Sequence, residues 1–138
     1  MKKLLLALPF IFAAQLALAI DEQDEKNYTT NYTNQLKPMV VQQLSAARPE
    51  MTAAAVESEA NAYVSRMAGC QLSALKEFPE VYRDKAILPV VEGADIAQTT
   101  QALNQEILQD IEAGKLTKDQ ATRMVVTAQE SVQMCMNS

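Results

Sequence analysis

The two cysteines carry the most specific chemistry in this chain of 138 residues. Because Cys70 and Cys135 are the whole complement, there is one intramolecular pairing. An even pair in a chain that begins with an export signal, as argued below, predicts a disulfide. Redox catalysis is the alternative, but there is no C-x-x-C motif and no histidine to activate either sulfur. We therefore expect a structural bridge.

Met134, Cys135 and Met136 together could supply the soft sulfur ligands that bind Cu(I). On a helix, however, successive side chains point about 100° apart and cannot converge on one ion. We therefore expect no metal and no cofactor.

Carboxylates are the remaining catalytic device, because the sequence lacks histidine, a Walker loop, G-x-G-x-x-G and G-x-S-x-G. Glu57 and Glu59 lie two residues apart and face different sides of a helix. Glu106 and Asp110 share a face, but beside Gln109 they are typical of an exposed polar surface. We therefore expect no catalytic residue, and predict that the protein is not an enzyme.

Both cysteines lie on apolar stripes with helical spacing, so we expect both to point inward. The central stripe, within residues 52–78, comprises Val56, Ala60, Tyr63, Met67, Cys70 and Ala74, widened by Val64, Ala68, Leu72, Leu75 and Phe78. The last stripe comprises Ala121, Val125, Ala128, Val132 and Cys135. The two patterns predict that the final helix packs its cysteine against the central helix.

Prolines and glycines divide the rest of the chain into helices. Pro38 predicts a break or kink near Lys37, and Pro49 is expected in the first turn of the central helix, which Pro79 closes. A short helix over Glu80–Leu88 is expected to end at Pro89.

The segment after this short helix carries a turn, a helix, a stop signal and a cap. The turn is residues 92–95, and the helix over residues 95–113 ends at Gly114. Its expected inner side chains are Ile96, Leu103, Ile107, Leu108 and Ile111. Thr117 and Gln120 form a capping-box pattern before the last helix. The prediction is an all-α bundle of about four to five helices, stapled by one disulfide.

Residues 1–19 have the pattern of a secretory signal peptide. Lys2 and Lys3 precede a mostly apolar run, and Ala17-Leu18-Ala19 is an A-x-A cleavage site. The run is too short for a membrane span, although a retained anchor is the alternative. We predict a single helical domain over residues 20–138, frayed over 20–26. We expect it in the periplasm, with secretion as the alternative.

The charge balance disfavours some partners. The whole chain has a net charge of −5, and cleavage would remove Lys2 and Lys3, leaving 10 basic and 17 acidic residues, or −7. Nucleic acid and anionic lipid both require a positive face, so neither is expected as a partner. An acidic surface suits a basic protein partner, but it also simply keeps a protein in solution.

These observations favour a binding protein of the cell envelope that works without catalysis. A concrete version is an immunity or inhibitor protein against a toxin or cell-wall-acting enzyme. The expected contact region is residues 77–95, because Tyr and Arg are favoured interface anchors. Its candidate partner-binding residues are Glu80, Tyr82, Arg83, Asp84 and Glu92. The alternative is that Tyr82 covers the edge of the core and the charges are solvated.

Two other functions fit the same features. In size and general layout the chain resembles the small acid-activated periplasmic chaperones, which are helical, exported and carry one disulfide. That resemblance implies a switch near pH 3 to 5, where carboxylates titrate. A structural or assembly subunit of the envelope, packing its amphipathic helices against a partner, is the second alternative.

Overall fold

The computed structural model describes residues 20–138, which form five α-helices and no strand. The helices are α1 (Glu22–Ala47), α2 (Ala53–Lys76), α3 (Glu80–Val91), α4 (Ile96–Glu112) and α5 (Lys118–Asn137). This confirms the all-α class and the helix number. The predicted signal peptide lies outside the described residues. No helix within residues 20–138 has both the length and the apolar character that crossing a membrane requires.

The acidic start of α1 is ordered by its own side chains. The Asp24 backbone N–H donates to the Asp21 carboxylate at 2.8 Å, and the Asp21 N–H donates to the Asp24 carboxylate at 3.2 Å. This capping box satisfies free N–H groups, and the negative charges favour the helix dipole. The structure shows residues 22–26 as part of this helix, and their predicted fraying stays a prediction.

Two prolines lie inside helices, where we expected them to interrupt. Pro38 is within α1, and Pro89 is within α3, which continues to Val91. Proline removes a hydrogen bond to the carbonyl four residues earlier. Here those carbonyls belong to Asn34 and Lys85, both at exposed positions where water can replace the lost donor.

Two other prolines lie between helices. The proline predicted in the first turn of α2 lies instead in the preceding turn, because Thr52 caps the helix by accepting from the Ala55 N–H at 3.2 Å. The prediction at Pro79 is confirmed, since α2 ends at Lys76.

The core is centred on α2, which packs against α1, α3 and α5. Val56, Ala60, Val64 and Ala68 are all buried and follow one another at steps of four. The predicted stripe is thus confirmed along its centre. Tyr63, however, is 47% exposed, because it lies about 100° round the helix from Val64.

The last two helices form a hairpin. Gly114 has φ +74°, a left-handed conformation that favours glycine, and ends α4 as predicted. Thr117 and Gln120 form the predicted capping box of α5. The prediction that Leu108 lies on the inner side of α4 is wrong, since this residue is 59% exposed.

The predicted disulfide is confirmed. Cys70 and Cys135 are bonded, with their Cα atoms 5.6 Å apart, and the bridge joins α2 to the last turn of α5. The Arg66 guanidinium, one turn earlier on α2, donates to the backbone carbonyls of Cys135 and Ser138. A positive charge at a helix C-terminus also complements its dipole. The end of α5 is therefore held to α2 by a covalent bond and by a cation.

The remainder of the α5 stripe is less buried than its pattern predicts. Ala121 is buried, but Val125 is 38% exposed, and Ala128 and Val132 are only partly covered. The expectation of a fully buried stripe is therefore wrong beyond the first turn. These side chains face a groove instead of a neighbouring helix.

Candidate functional site

An open groove of about 680 Å³ lies between α4 and α5. The two helices are joined by a short turn, but α4 packs on α3 while α5 packs on α2. Since each helix of the hairpin is supported by a different neighbour, the two walls separate beyond the turn. The α4 wall contributes Ile96, Thr99, Thr100, Leu103, Asn104 and Ile107, and the α5 wall contributes Val125, Ala128, Gln129, Val132 and Gln133.

The floor of the groove includes two tyrosines from successive turns of α1. Tyr28 and Tyr32 have ring centroids 5.8 Å apart, and they are 2% and 6% exposed. Burial raises the pKa of both phenols, and each lies close to another tyrosine that adds to the effect. Both side chains therefore remain neutral hydrogen-bond donors well beyond physiological pH.

Neither phenol hydroxyl has a hydrogen-bond partner among residues 20–138. Within residues 20–138 no hydrogen bond involves the hydroxyl of Tyr28 or Tyr32, and neither oxygen is completely enclosed by protein atoms. A hydroxyl that is not enclosed can hydrogen-bond to water, and a ligand can take the place of that water. Both residues line the groove, so a molecule that occupies it lies beside these two tyrosines.

The groove lining carries no charge among the described residues, although 21% of the chain is charged. Its polar members are amides and hydroxyls. Thr99 and Thr100 donate to backbone carbonyls within α4 and its cap, at 2.8 and 2.9 Å. The amide side chains of Gln71, Asn104, Gln129 and Gln133 complete the polar rim. An apolar cleft with a few neutral polar groups is the usual composition of a ligand site.

Four of the predicted partner-binding residues lie on α3, and Glu92 is the residue that directly follows its end. Tyr82 is 5% exposed, and its hydroxyl donates to the Asp110 carboxylate at 2.6 Å. This hydrogen bond, together with burial, raises the pKa of Tyr82 to about 12. Tyr82 is therefore a core residue joining α3 to α4, and cannot serve as an exposed anchor. Its burial is consistent with the alternative, in which Tyr82 covers the edge of the core.

The four charged members of the predicted set remain at the surface. Arg83 pairs with its neighbour Asp84 at 2.8 Å, which partly neutralises both. Glu80 and Glu92 are exposed near opposite ends of α3. Asp84 and Glu92 border a wide, open depression on the outer side of this helix. The structure thus brings Arg83 and Asp84 together, but it does not gather the whole set into one site.

The carboxylate pair on α4 has a structural role that we did not predict. Asp110 is only 14% exposed at its side chain because Tyr82 covers it, and Glu106 forms an ion pair with Lys85 of α3. The expectation of a purely exposed polar surface is therefore wrong. Residues 20–138 contain no cluster of three or more His, Cys, Asp or Glu side chains that could hold a metal ion.

Sequence reasoning missed the groove, although two signals were present. Residues 96–105 contain no charged side chain, which is unusual for an exposed helix in such a charged chain. Tyr28 and Tyr32 share a helical face, but periodicity does not reveal whether a hydroxyl finds a partner. The separation of the two walls depends on tertiary packing alone.

Comparisons with known proteins identify no relative. No protein-family model matches the chain, and no curated protein or solved structure shows a significant match.

Proposed function

We propose that this chain is an exported binding protein that acts without catalysis, and that the groove between α4 and α5 is its binding site. The observation that carries the proposal is an apolar groove with no charge among its described lining residues, where two largely buried tyrosines have no hydrogen-bond partner for their hydroxyls among residues 20–138. A ligand that enters the groove can accept hydrogen bonds from these hydroxyls in place of water.

The two walls are anchored independently, which supports a groove that stays open without ligand. The end of α5 is fixed by the disulfide and by Arg66. The start of α4 is fixed by Gln35 of α1, which accepts from the Ile96 N–H and donates to the Ala94 carbonyl, both at 2.9 Å. A preformed site binds more tightly because less conformational freedom is lost on binding.

The export part of the proposal rests on two features. The first 19 residues have the pattern of a signal peptide, and a disulfide is typical of proteins that work in oxidising compartments. The periplasm is the proposed location, with secretion beyond it as the alternative. Detection of processed protein in a periplasmic extract, with Ile20 as its first residue, tests this part.

In one version of this proposal the chain is an immunity or inhibitor protein, and the molecule that it binds is another protein. This version is supported by the acid surplus of residues 20–138, which would steer the chain towards a basic target. It requires that a segment of the target enter the groove or cover α3. A pull-down from envelope extract tests this version, which predicts one stoichiometric basic partner.

An acid-stress chaperone is the second candidate, favoured by ion pairs that cross between helices. Lys37 pairs with Glu57 at 2.8 Å, Arg48 pairs with Glu59, and Lys76 pairs with Glu25. Acid would therefore weaken three links between α2 and α1 with its C-cap. Carboxylates are mostly neutral at pH 3, where apolar stripes would then separate. Light scattering of an aggregating client at pH 3 tests it, because a dedicated groove binder should not suppress aggregation.

Groove binding itself is tested with Nile red, a neutral dye that fluoresces in apolar sites. Ala128 lines the groove, so Ala128→Trp should fill it, and we expect dye binding to fall at least tenfold. Thr127→Trp is the matched control, because Thr127 is the preceding residue, is exposed and does not line the groove. It should bind the dye as the unmodified chain does.

A second variant designed to fill the groove keeps the test valid if Ala128→Trp misfolds. We call these two the plug variants. Thr100→Trp narrows the groove from the α4 wall, at an exposed position where a larger side chain does not disturb the core. Circular dichroism should show unchanged helicity in all three variants. Equal dye binding by the control and both folded plug variants, or no binding to the unmodified chain, would contradict the proposal.

A further inference from the structure

We propose that the ligand of this groove is a small uncharged apolar molecule that carries a hydrogen-bond acceptor oxygen, recognised by Tyr28 and Tyr32. This inference rests on the proposed function and specifies the class of ligand. It follows from three properties of the groove, namely the absence of charge in its lining, the depth of the two phenols and its size.

The lining selects against charged ligands. None of the described groove residues could neutralise a carboxylate or an ammonium group that entered with the ligand. Moving a charged group out of water into a site that offers it no partner costs a large free energy. Amide groups at the rim, such as those of Asn104 and Gln129, can hydrogen-bond a neutral polar group instead. The ligand is therefore neutral along the part that lies in the groove.

The two phenols select for an acceptor. Tyr28 and Tyr32 hold their protons, since burial raises the pKa of both, and each O–H lacks a partner among the described residues. A carbonyl, ether or hydroxyl oxygen of the ligand can accept from one or both of them. A hydrocarbon of the same shape would cover the phenols and leave two donors unpaired.

Depth and size favour a small molecule over a protein helix. The phenols lie at the floor, being at most 6% exposed, so only a narrow group can reach them. Apolar side chains of a docked helix would fill the groove without bringing an acceptor, because the helix uses its backbone carbonyls internally. The volume of about 680 Å³ lies within the range of small-molecule pockets.

The test compares three ligands with the same carbon chain by displacement of Nile red. The ligands are 2-undecanone, which is neutral and only accepts, undecane, which has no polar group, and undecanoate, which is charged at pH 7. We expect 2-undecanone to bind about tenfold more tightly than undecane, the ratio that one good hydrogen bond supplies. Undecanoate should bind more weakly than 2-undecanone.

Removal of the hydroxyls should abolish the preference without closing the groove. In the Tyr28→Phe, Tyr32→Phe double variant we expect equal affinities for 2-undecanone and undecane, with undecane binding unchanged or slightly tighter. Tyr63→Phe is the matched control, since Tyr63 is half exposed and does not line the groove, and it should keep the preference.

The outcomes separate this inference from the proposed function. If Nile red binds in the groove but undecane and 2-undecanone compete equally, or undecanoate competes best, the ligand class is wrong and the binding site remains. If no dye or ligand enters the groove, both proposals fail. Recovery of a protein partner whose binding is lost in Ala128→Trp, together with no ligand preference, would overturn the small-molecule class in favour of a protein segment.

Discussion

The buried tyrosines of this protein differ in whether the fold provides a partner for the hydroxyl. Tyr82 donates to Asp110 at 2.6 Å and joins α3 to α4. Tyr28 and Tyr32 are equally buried, yet have no partner among residues 20–138. The same residue type thus acts once as a structural link and twice as an available donor. This contrast is the residue-level reason for assigning the groove to binding.

The Tyr82 hydrogen bond should give the fold a measurable alkaline limit. Its pKa of about 12 exceeds the value of about 10 expected for an unfolded chain. Between these values the folded state holds a proton that the unfolded state has released, so the contribution of Tyr82 to stability is complete below pH 10 and is lost as pH rises through 12. In Tyr82→Phe we expect a weaker decline between pH 10 and 12, measured by urea unfolding.

At neutral pH the same variant should be less stable by about 1–2 kcal/mol, because it loses a hydrogen bond to a charged group. Tyr63→Phe, at a half-exposed site, should change the free energy of unfolding at pH 7 by less than about 0.5 kcal/mol. An alkaline decline as steep in Tyr82→Phe as in the unmodified chain would show that another group controls the pH dependence.

At the scale of the helices, α5 depends on its attachment to α2. It buries Ala121 near its start, but its middle faces the groove, and its last turn is held by Cys70 and Arg66. A helix with so little buried surface would fray at its end without a link. The disulfide therefore maintains one wall of the groove, in addition to stabilising the fold.

Replacing both cysteines by serine tests this role. Closing a loop over a sequence separation of 65 stabilises the fold by roughly 4 kcal/mol in the chain-entropy model, so we expect a loss of that order. Hydrogen exchange should accelerate first in residues 125–137, while α1 and α2 remain protected. Arg66→Ala should produce a smaller acceleration in the same segment. Uniform acceleration over all helices would contradict a specific role in holding α5.

Two glycines with different backbone conformations, one in the turn after α4 and one inside α2, give a paired prediction. Gly114 has φ +74°, and an L-residue in this conformation costs roughly 1–2 kcal/mol, so Gly114→Ala should destabilise by about that amount. Gly69 lies inside α2, and a Cβ there would meet no atom within 4 Å. Gly69→Ala should therefore stabilise by about 0.5–1 kcal/mol. Thermal unfolding measures both, and equal signs would contradict the assigned backbone roles.

At the scale of the whole molecule, α1 and α2 form a frame that carries two separately attached parts. The α3–α4 part is attached through α1, where Asn31 donates to the Val90 and Val91 carbonyls at 2.9 and 3.1 Å. The α5 part is attached through α2 and the disulfide. The groove is the space left between these two parts, which explains why it forms within a continuous hairpin.

Local signals in the sequence predicted much of the fold. Some of these signals act within a few helical turns: the caps at Thr117 and Gly114, the end of α2 before Pro79, and the central apolar stripe. The cysteine pair was predictable because two cysteines allow one intramolecular pairing. The predicted helix end at Pro89 was wrong, because the cost of an interior proline depends on solvent access to carbonyls elsewhere on the helix. The site was missed because apolar spacing on α5 does not say whether a neighbouring helix or a groove covers it.

A direct test of the groove as a neutral-ligand site is an ¹⁵N–¹H correlation spectrum of the labelled protein titrated with 2-undecanone. We predict saturable shifts in amides of residues 96–107 and 125–133 and around Tyr28 and Tyr32. The exposed side of α3, residues 80–85, should remain unchanged. Shifts confined to α3, or none at ligand concentrations that displace the dye, would contradict the assignment of binding to the groove.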